Sequence, residues 1–212
     1  MSDRANIRLP VPIAAIALIV FVLAGLLGGP RAALDVNLIH SLAACRAAHP
    51  GLTSLVIPLT NAGGAAGMIA ILILIMVLLA LKRQWTKAAL FAGIVLGGRL
   101  VVELLKLAVD RPRPSFDPHP VAVSSLSFPS AHAANSMITF LTVALLIIPV
   151  RYRGMAVTAA ISLSAAVGLT RPYLGVHWPS DVIGGWAFGI VWVVSLVAAS
   201  HYWLASDASR IG

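Results

Sequence analysis

The sequence predicts an all-α polytopic membrane protein with six transmembrane helices and an interfacial helix after the first span. Of the 212 residues, 59% are hydrophobic and only 10% are charged, whereas an ordinary soluble domain has about 25% charged residues. The mean hydropathy is +0.95, and several apolar runs approach the roughly 20 residues that cross a bilayer. We predict a single domain over residues 1–212, because this length leaves little room for a separate soluble domain.

The apolar runs divide the chain into six predicted spans. The second and sixth are the clearest, because 68–81 and 182–200 contain no charged residue. The third is the weakest, since Arg99 and Glu103 interrupt it. The first run is expected to be a retained helix, because no small-residue cleavage site of a signal peptide follows it. The predicted spans are 10–29, 65–81, 88–105, 131–150, 154–170 and 180–204.

The segment after the first span contains an apolar stripe with helical spacing. Leu34, Leu38, Leu42 and Cys45 follow one another at intervals of four, four and three residues. This pattern predicts an amphipathic helix that lies in the membrane interface, and a connecting helix packed on the bundle is an open alternative.

The basic residues set the predicted orientation, because Lys and Arg are enriched in cytoplasmic loops. The loops at 30–64, 106–130 and 171–179 are expected outside, and both termini inside. The formal charge of +8 does not indicate nucleic-acid binding, since the basic residues occur singly or in short groups between apolar runs. The predicted cytoplasmic set is Arg4, Arg8, Lys82, Arg83, Lys87, Arg151, Arg153 and Arg210.

Ionisable and polar residues concentrate in three segments, all assigned to the outer face. They read KLAVDRPRP at 106–114, FPSAH at 128–132 and TRPYLGVHWPSD at 170–181. Ionisable residues are costly in a membrane protein and are usually functional. Their coincidence on one face predicts one site built from three distant parts of the chain.

These segments contain the groups that a bound phosphate requires. A dianion in a partly dry site must be met by cations and N–H donors, because burying an unpaired charge is costly. Lys106 supplies a point charge, whereas Arg113 and Arg171 supply planar guanidinium groups that can each bind two oxygens. Ser130 is a candidate N-cap of the fourth span, so the backbone N–H of Ala131 would point at the anion.

The segments also contain a candidate nucleophile and a candidate acid. His177 and Asp181 are four residues apart at the start of the sixth span, so both can face one direction. A carboxylate bound to one ring nitrogen fixes the tautomer and leaves the other nitrogen free to attack. We therefore expect His177 to be the nucleophile, Asp181 to orient it, and His132 to protonate the leaving alkoxide. No cofactor or metal is expected, since no tight ligand spacing such as H-E-x-x-H occurs.

The three segments together resemble the signature of the type 2 phosphatidic acid phosphatase superfamily, which reads K-x6-R-P, P-S-G-H and S-R-x5-H-x3-D. The order and internal spacing agree, and the six-span layout is similar to that of the membrane branch. The resemblance implies a phosphohistidine on His177, oriented by Asp181, with His132 as the acid and no metal ion. The oxygens of the phosphate would be held by Lys106, Arg113, Ser130 and Arg171.

Two positions depart from this signature. Ala131 replaces the glycine of the second segment, where the backbone approaches the phosphate. Helical φ tolerates alanine, so we expect an effect on rate or substrate choice rather than on the type of reaction. Thr170 replaces the serine of the third segment and keeps its hydroxyl.

The expected function is hydrolysis of a lipid phosphomonoester or diphosphate on the extracytoplasmic face of a bacterial inner membrane. A polyprenyl diphosphate, phosphatidylglycerophosphate and phosphatidic acid are all compatible substrates. The expected partners are this lipid and the surrounding membrane lipids, with no nucleic acid and no obligate protein partner. One alternative is a lipid phosphotransferase that uses the same intermediate. Another is a non-catalytic lipid-binding or transport protein with a degenerate site, which Ala131 favours.

Overall fold

The computed structural model describes residues 11–116 and 119–211, and the side chains of these residues up to 200. Every regular element in these ranges is a helix, as predicted. Arg4 and Arg8 of the predicted cytoplasmic set lie outside the described residues, and the side chain of Arg210 is also outside them. The helices are α1 (Val11–Leu27), α2 (Ala33–Ala48), α3 (Pro50–Ala62), α4 (Ala65–Leu81), α5 (Trp85–Val109), α6 (Ala131–Thr142), α7 (Arg153–Tyr173) and α8 (Pro179–Ile211).

Three helical stretches are long and apolar enough to cross a membrane, namely α5, Val150–Tyr173 and the Pro179–Ser200 part of α8. The pair α3 and α4 forms a fourth candidate, bent by 47° at the break between the two helices. The helices α1 and Ala131–Ile147 are also apolar but shorter. Among the described residues, length and composition thus support three or four spans, and the number six stays a prediction.

The predicted spans differ from the helices mainly at their ends. The third span continues to Val109 instead of ending at residue 105, because Lys106 remains helical and carries its charge into the site described below. The fourth span starts at Ala131 as predicted but changes to a π-helical turn at Val143–Ile147. It ends there because Ile148, which precedes Pro149, is extended.

The segment after α1 contains two helices where one helix and a loop were predicted. Pro50 occupies the first turn of α3, a position that favours a helix start because the missing N–H would be unpaired there. In α2, Asp35 and Ile39 are buried against the bundle, whereas Leu34 and Leu38 are exposed. The first two leucines of the predicted stripe therefore face away from the protein core, whereas Leu42 is partly buried and packs against the cluster of Tyr173, Leu174 and Val176.

Helix α6 is central to the bundle, since nine of its 12 residues are buried and it packs on α5, α7 and α8. Gly185 and Gly189 of α8 allow a close approach of α6. A Cβ at Gly185 would lie 2.7 Å from the carbonyl oxygen of Ser130, and one at Gly189 would lie 2.8 Å from Met137. This approach places the start of α6 beside the start of α8, where Ser130 donates its N–H to the carbonyl of Asp181 at 3.0 Å.

Candidate active site

The three polar segments meet at one end of the bundle. The first leaves α5 at Asp110, whose left-handed conformation (φ 50°) ends the helix and turns the chain back across the bundle end. The second begins α6, and the third is the connection from α7 to α8. The three segments therefore lie together among the described residues, as the sequence predicted.

His177 lies at the centre of this cluster with only 1% of its surface exposed. Its Nδ1 lies 3.3 Å from Oδ2 of Asp181, and its Nε2 lies 3.0 Å from Nη1 of Arg113. Because the guanidinium can only donate, Nε2 accepts and the ring proton resides on Nδ1. The ring thus presents the electron pair of Nε2 toward the cationic side of the site.

The electrostatic surroundings keep this imidazole neutral. Burial lowers the pKa of His177 well below its ordinary value, and the nearby cations Arg113, Arg171 and Lys106 lower it further. Burial also lowers the pKa of Arg113, while Asp181 acts in the opposite direction. A neutral imidazole is the form that can act as a nucleophile.

The carboxylate of Asp181 is fully buried and held by several donors. The hydroxyl of Ser127 donates to Oδ2 at 2.5 Å, and the backbone N–H of Trp178 donates to the same oxygen at 2.8 Å. The second oxygen, Oδ1, accepts from Nη1 of Arg111 at 2.9 Å. These contacts fix the orientation of the carboxylate that faces His177.

Lys106 and Arg113 are held by backbone carbonyls of the loops before α6 and α8. Lys106 Nζ donates to the carbonyl of Leu126 at 2.6 Å. Arg113 donates from Nε to the carbonyl of Ser125 at 2.6 Å and from Nη1 to that of Val176 at 2.5 Å. Contacts within the protein therefore orient both cations.

Ser130 occupies the N-cap position of α6, as predicted, but its hydroxyl makes no capping hydrogen bond. The side chain is fully buried, and its Oγ has no partner among the described residues. Ala131 is the first residue of α6 in a right-handed helical conformation that alanine adopts freely. The first N–H groups of a helix have no partner within the helix, so this end can donate to an anion.

His132 and Arg171 complete the cluster from the side of α3. Arg171 is buried and donates from Nη1 to Oγ1 of Thr60 at 2.7 Å, while its Nε has no partner among the described residues. Thr170 also donates to Thr60, at 2.9 Å. His132 lies beside the α3–α4 junction, since a Cβ at Gly64 would be 3.3 Å from its Nε2.

Three residues of this region were not anticipated from the sequence. Arg111, 6% exposed, donates from Nη2 to the carbonyls of Ala24 and Gly25 at 2.9 and 2.6 Å, in addition to its bond with Asp181. Asp35 accepts from the backbone N–H of Ser180 at 3.0 Å and from its hydroxyl, and so fixes the start of α8. Thr60 binds Arg171, as described above. For Arg111 the signal was its position in the polar segment 106–114, and for Asp35 it was a carboxylate close to the end of an apolar span.

Comparison with known proteins places this arrangement in a family. Residues 87–205 match the family model described as the PAP2 superfamily. Phosphatidylglycerophosphatase B of Bacillus subtilis is 28% identical over 71% of this chain and 76% of its own length. Lipid A 1-phosphatase of Rhizobium etli is 40% identical over 52% of this chain and 48% of its own length, so the match spans about half of that relative.

A solved structure has the same fold. The crystal structure of a transmembrane PAP2-type phosphatidylglycerolphosphate phosphatase from Bacillus subtilis superimposes with a TM-score of 0.79 at 24% identity. The superposition covers 92% of this chain and 96% of the other. The fold and the matched region together confirm the resemblance noted in the sequence. The chain belongs to the PAP2 superfamily.

Proposed function

We propose that this protein is an integral-membrane lipid phosphate phosphatase that works through a phosphohistidine intermediate on Nε2 of His177. One observation carries the proposal. The Nε2 electron pair points toward Arg113, among three cations, while Nδ1 faces the fixed carboxylate of Asp181. This arrangement suits in-line attack on a phosphorus atom whose oxygens are held by cations.

In the first step, the substrate phosphate takes the place in front of Nε2. Lys106, Arg113 and Arg171 bind its oxygens, together with the N–H of Ala131 and the free hydroxyl of Ser130. Nε2 attacks phosphorus, and the bond between phosphorus and the lipid oxygen breaks with its electron pair on that oxygen. The proton that neutralises the leaving alkoxide comes from His132, and the positive charge on the phosphorylated ring is balanced by Asp181.

In the second step, water attacks the phosphorus of the intermediate. His132, now neutral, accepts a proton from the water, and the P–N bond breaks with its electrons on Nε2. Inorganic phosphate leaves, and the ring returns to its starting tautomer because Asp181 retains the proton on Nδ1. No step requires a metal ion.

We further propose six spans with the site at the extracytoplasmic face. Six spans result if α3 and α4 form one span and if α1 and Ala131–Ile147 also cross the membrane. Both of these helices are near the lower limit of about 17 residues for a span. Lys82 and Arg83 lie at the end of the bundle opposite the site, and this supports a cytoplasmic position for that end. The exposed leucines of α2 would then lie in the outer interface. The bacterial relatives favour an inner-membrane location.

The test is release of inorganic phosphate by detergent-purified protein from a panel of lipid phosphates. Wild type is compared with His177→Ala and with His49→Ala, a matched control in an exposed position. Wild type and the control should release phosphate, and His177→Ala should not. Acid-labile, base-stable labelling of wild type by a ³²P-labelled substrate should disappear in His177→Ala.

Other outcomes would separate the alternatives. Retained activity in His177→Ala would remove this residue as the nucleophile. Phosphate transfer only when an acceptor lipid is added would favour a phosphotransferase. Binding of lipid phosphate without turnover by wild type would favour the non-catalytic alternative.

A further inference from the structure

A small pocket lies beneath the candidate phosphate site, between α4, α5 and α6. Its volume is about 10 Å³, which is close to the space that one oxygen-sized group requires. Most of its wall is hydrocarbon, but three polar side chains face it. The lining residues are Met68, Ile69, Leu72, Val95, Leu96, Arg99, Asn135 and Thr139.

The polar groups of this pocket are not satisfied by the protein. Thr139 is fully buried and Asn135 is 9% exposed, yet Oγ1 of the first and Oδ1 of the second have no partner among the described residues. Arg99 is half-buried and makes no hydrogen bond or ion pair within the described part of the chain. Unpaired polar groups are costly in an apolar environment, and an arginine in a membrane helix is a marker of function.

The spacing along α5 and the spacing along α6 both place the pocket below the phosphate site. Arg99 precedes Lys106 by seven residues, or two turns on the same side of α5, which is about 10 Å along the helix axis. Asn135 and Thr139 follow His132 by three and seven residues on the same side of α6, which is about 4 and 10 Å along the helix axis. A lipid with its phosphate in the site would extend along this surface into the membrane.

The chemistry of the pocket matches an acyl carbonyl. In a diacyl phospholipid, the ester carbonyls are about five or six covalent bonds from phosphorus, and each offers an oxygen that only accepts hydrogen bonds. The hydroxyl of Thr139 can donate to such an oxygen. The guanidinium of Arg99 has five N–H donors, so it can donate to the carbonyl and to Oδ1 of Asn135 together. The apolar wall would contact the adjoining hydrocarbon chain.

We propose that Arg99, Asn135 and Thr139 bind an acyl carbonyl of the substrate, so that the enzyme prefers acylated lipid phosphates over polyprenyl phosphates, which have no carbonyl. This inference rests on the proposed phosphatase function and names the substrate class for the same site. It gives a role in substrate specificity to polar side chains of α5 and α6 that take no part in the proposed reaction.

The test compares two substrates that differ only in the carbonyls, dioleoyl phosphatidic acid and its dialkyl ether analogue, in mixed micelles. Wild type should have a kcat/KM for the ester about ten times that for the ether, because the ester carbonyl accepts a hydrogen bond from a charged donor and the ether has no such acceptor. Arg99→Met and Thr139→Val should each bring this ratio close to one. Lys82→Met, which removes an exposed cation at the other end of the bundle, should leave the ratio unchanged.

The comparison in wild type does not depend on the folding of any variant. Equal use of ester and ether by wild type, as expected for a pocket that holds only water, would overturn the inference while the phosphatase function stands. An equal loss on both substrates in Arg99→Met would also overturn it. Absence of phosphate release from either lipid and from a polyprenyl phosphate would instead refute the proposed function.

Discussion

Replacement of Arg111 by methionine tests whether the cluster depends on a residue that does not face the phosphate. The guanidinium donates to Oδ1 of Asp181 at 2.9 Å and to two carbonyls at the end of α1. Hydrogen bonds to charged groups are worth about 1.5–3 kcal/mol. If the substitution removes that much orientation from Asp181, kcat should fall by about 10- to 150-fold.

The assay is steady-state phosphate release, with kcat and KM measured separately. Arg111→Met should lower kcat and leave KM within about twofold, because the lost contact orients the nucleophile and does not hold the substrate. Arg111→Lys should recover part of kcat, since it restores a donor and a charge. Arg31→Met provides the control, because Arg31 is an exposed arginine between α1 and α2. The melting temperature of Arg111→Met should also fall, since one partner of a buried ion pair is removed.

A double-mutant cycle separates the catalytic effect from a general loss of structure. In the background of Asp181→Asn, the further change of Arg111 should have little effect on kcat, because both residues act through one orientation. Additive losses would show that Arg111 does not act through Asp181. A higher KM with unchanged kcat would mean that Arg111 binds the phosphate directly, and either result would refute the reasoning.

Three further predictions concern the chemistry of the site. His132→Ala should lower the rate of intermediate formation by roughly 10²–10⁴ on a lipid phosphate and by much less on an aryl phosphate, whose leaving group needs no proton. Equal losses of this rate on both substrates would contradict its role as the acid. Because the pKa of His177 is depressed from 6.5, the nucleophile stays neutral as the pH falls through 6.5. The rate of intermediate formation in rapid-quench experiments should therefore not halve there, whereas a titration near 6.5 would show an ordinary histidine. EDTA should leave activity unchanged and vanadate should inhibit, and loss of activity on chelation would show a required metal ion.

The sequence was informative about the site where residue type and local spacing carry the chemistry. His177 lies in the connection just before α8 and Asp181 in the first turn of that helix, and their closeness in sequence was enough to predict that they face each other. Lys106 and Arg113 were recognisable because they lie in one of the three segments where ionisable and polar residues concentrate. For Ser130, the sequence predicted the position at the start of α6. It did not predict that the hydroxyl makes no capping hydrogen bond, since capping depends on the side-chain rotamer, which is set by packing against neighbouring helices.

The remaining features depend on tertiary contacts that leave no local pattern. Arg111 resembles any loop arginine until the end of α1 is placed beside it. Thr60 lies in α3, within the region 30–64 that was predicted as an outer loop, although Pro50 starts a helix there. The number of spans is also difficult to predict, because α1 and α6 are short and only their packing on longer helices indicates how deeply they lie.

The attachment of Arg111 to the last turn of α1 links catalysis to the thickness of the host bilayer. The described part of α1 is 17 residues long, and a helix whose apolar length is shorter than the hydrocarbon thickness shifts or distorts the surrounding lipid. Because one guanidinium joins the carbonyls of Ala24 and Gly25 to Asp181, such a shift would reach the nucleophile directly. We expect turnover in reconstituted vesicles to decline as host lipids lengthen, even when the substrate and its surface density stay constant.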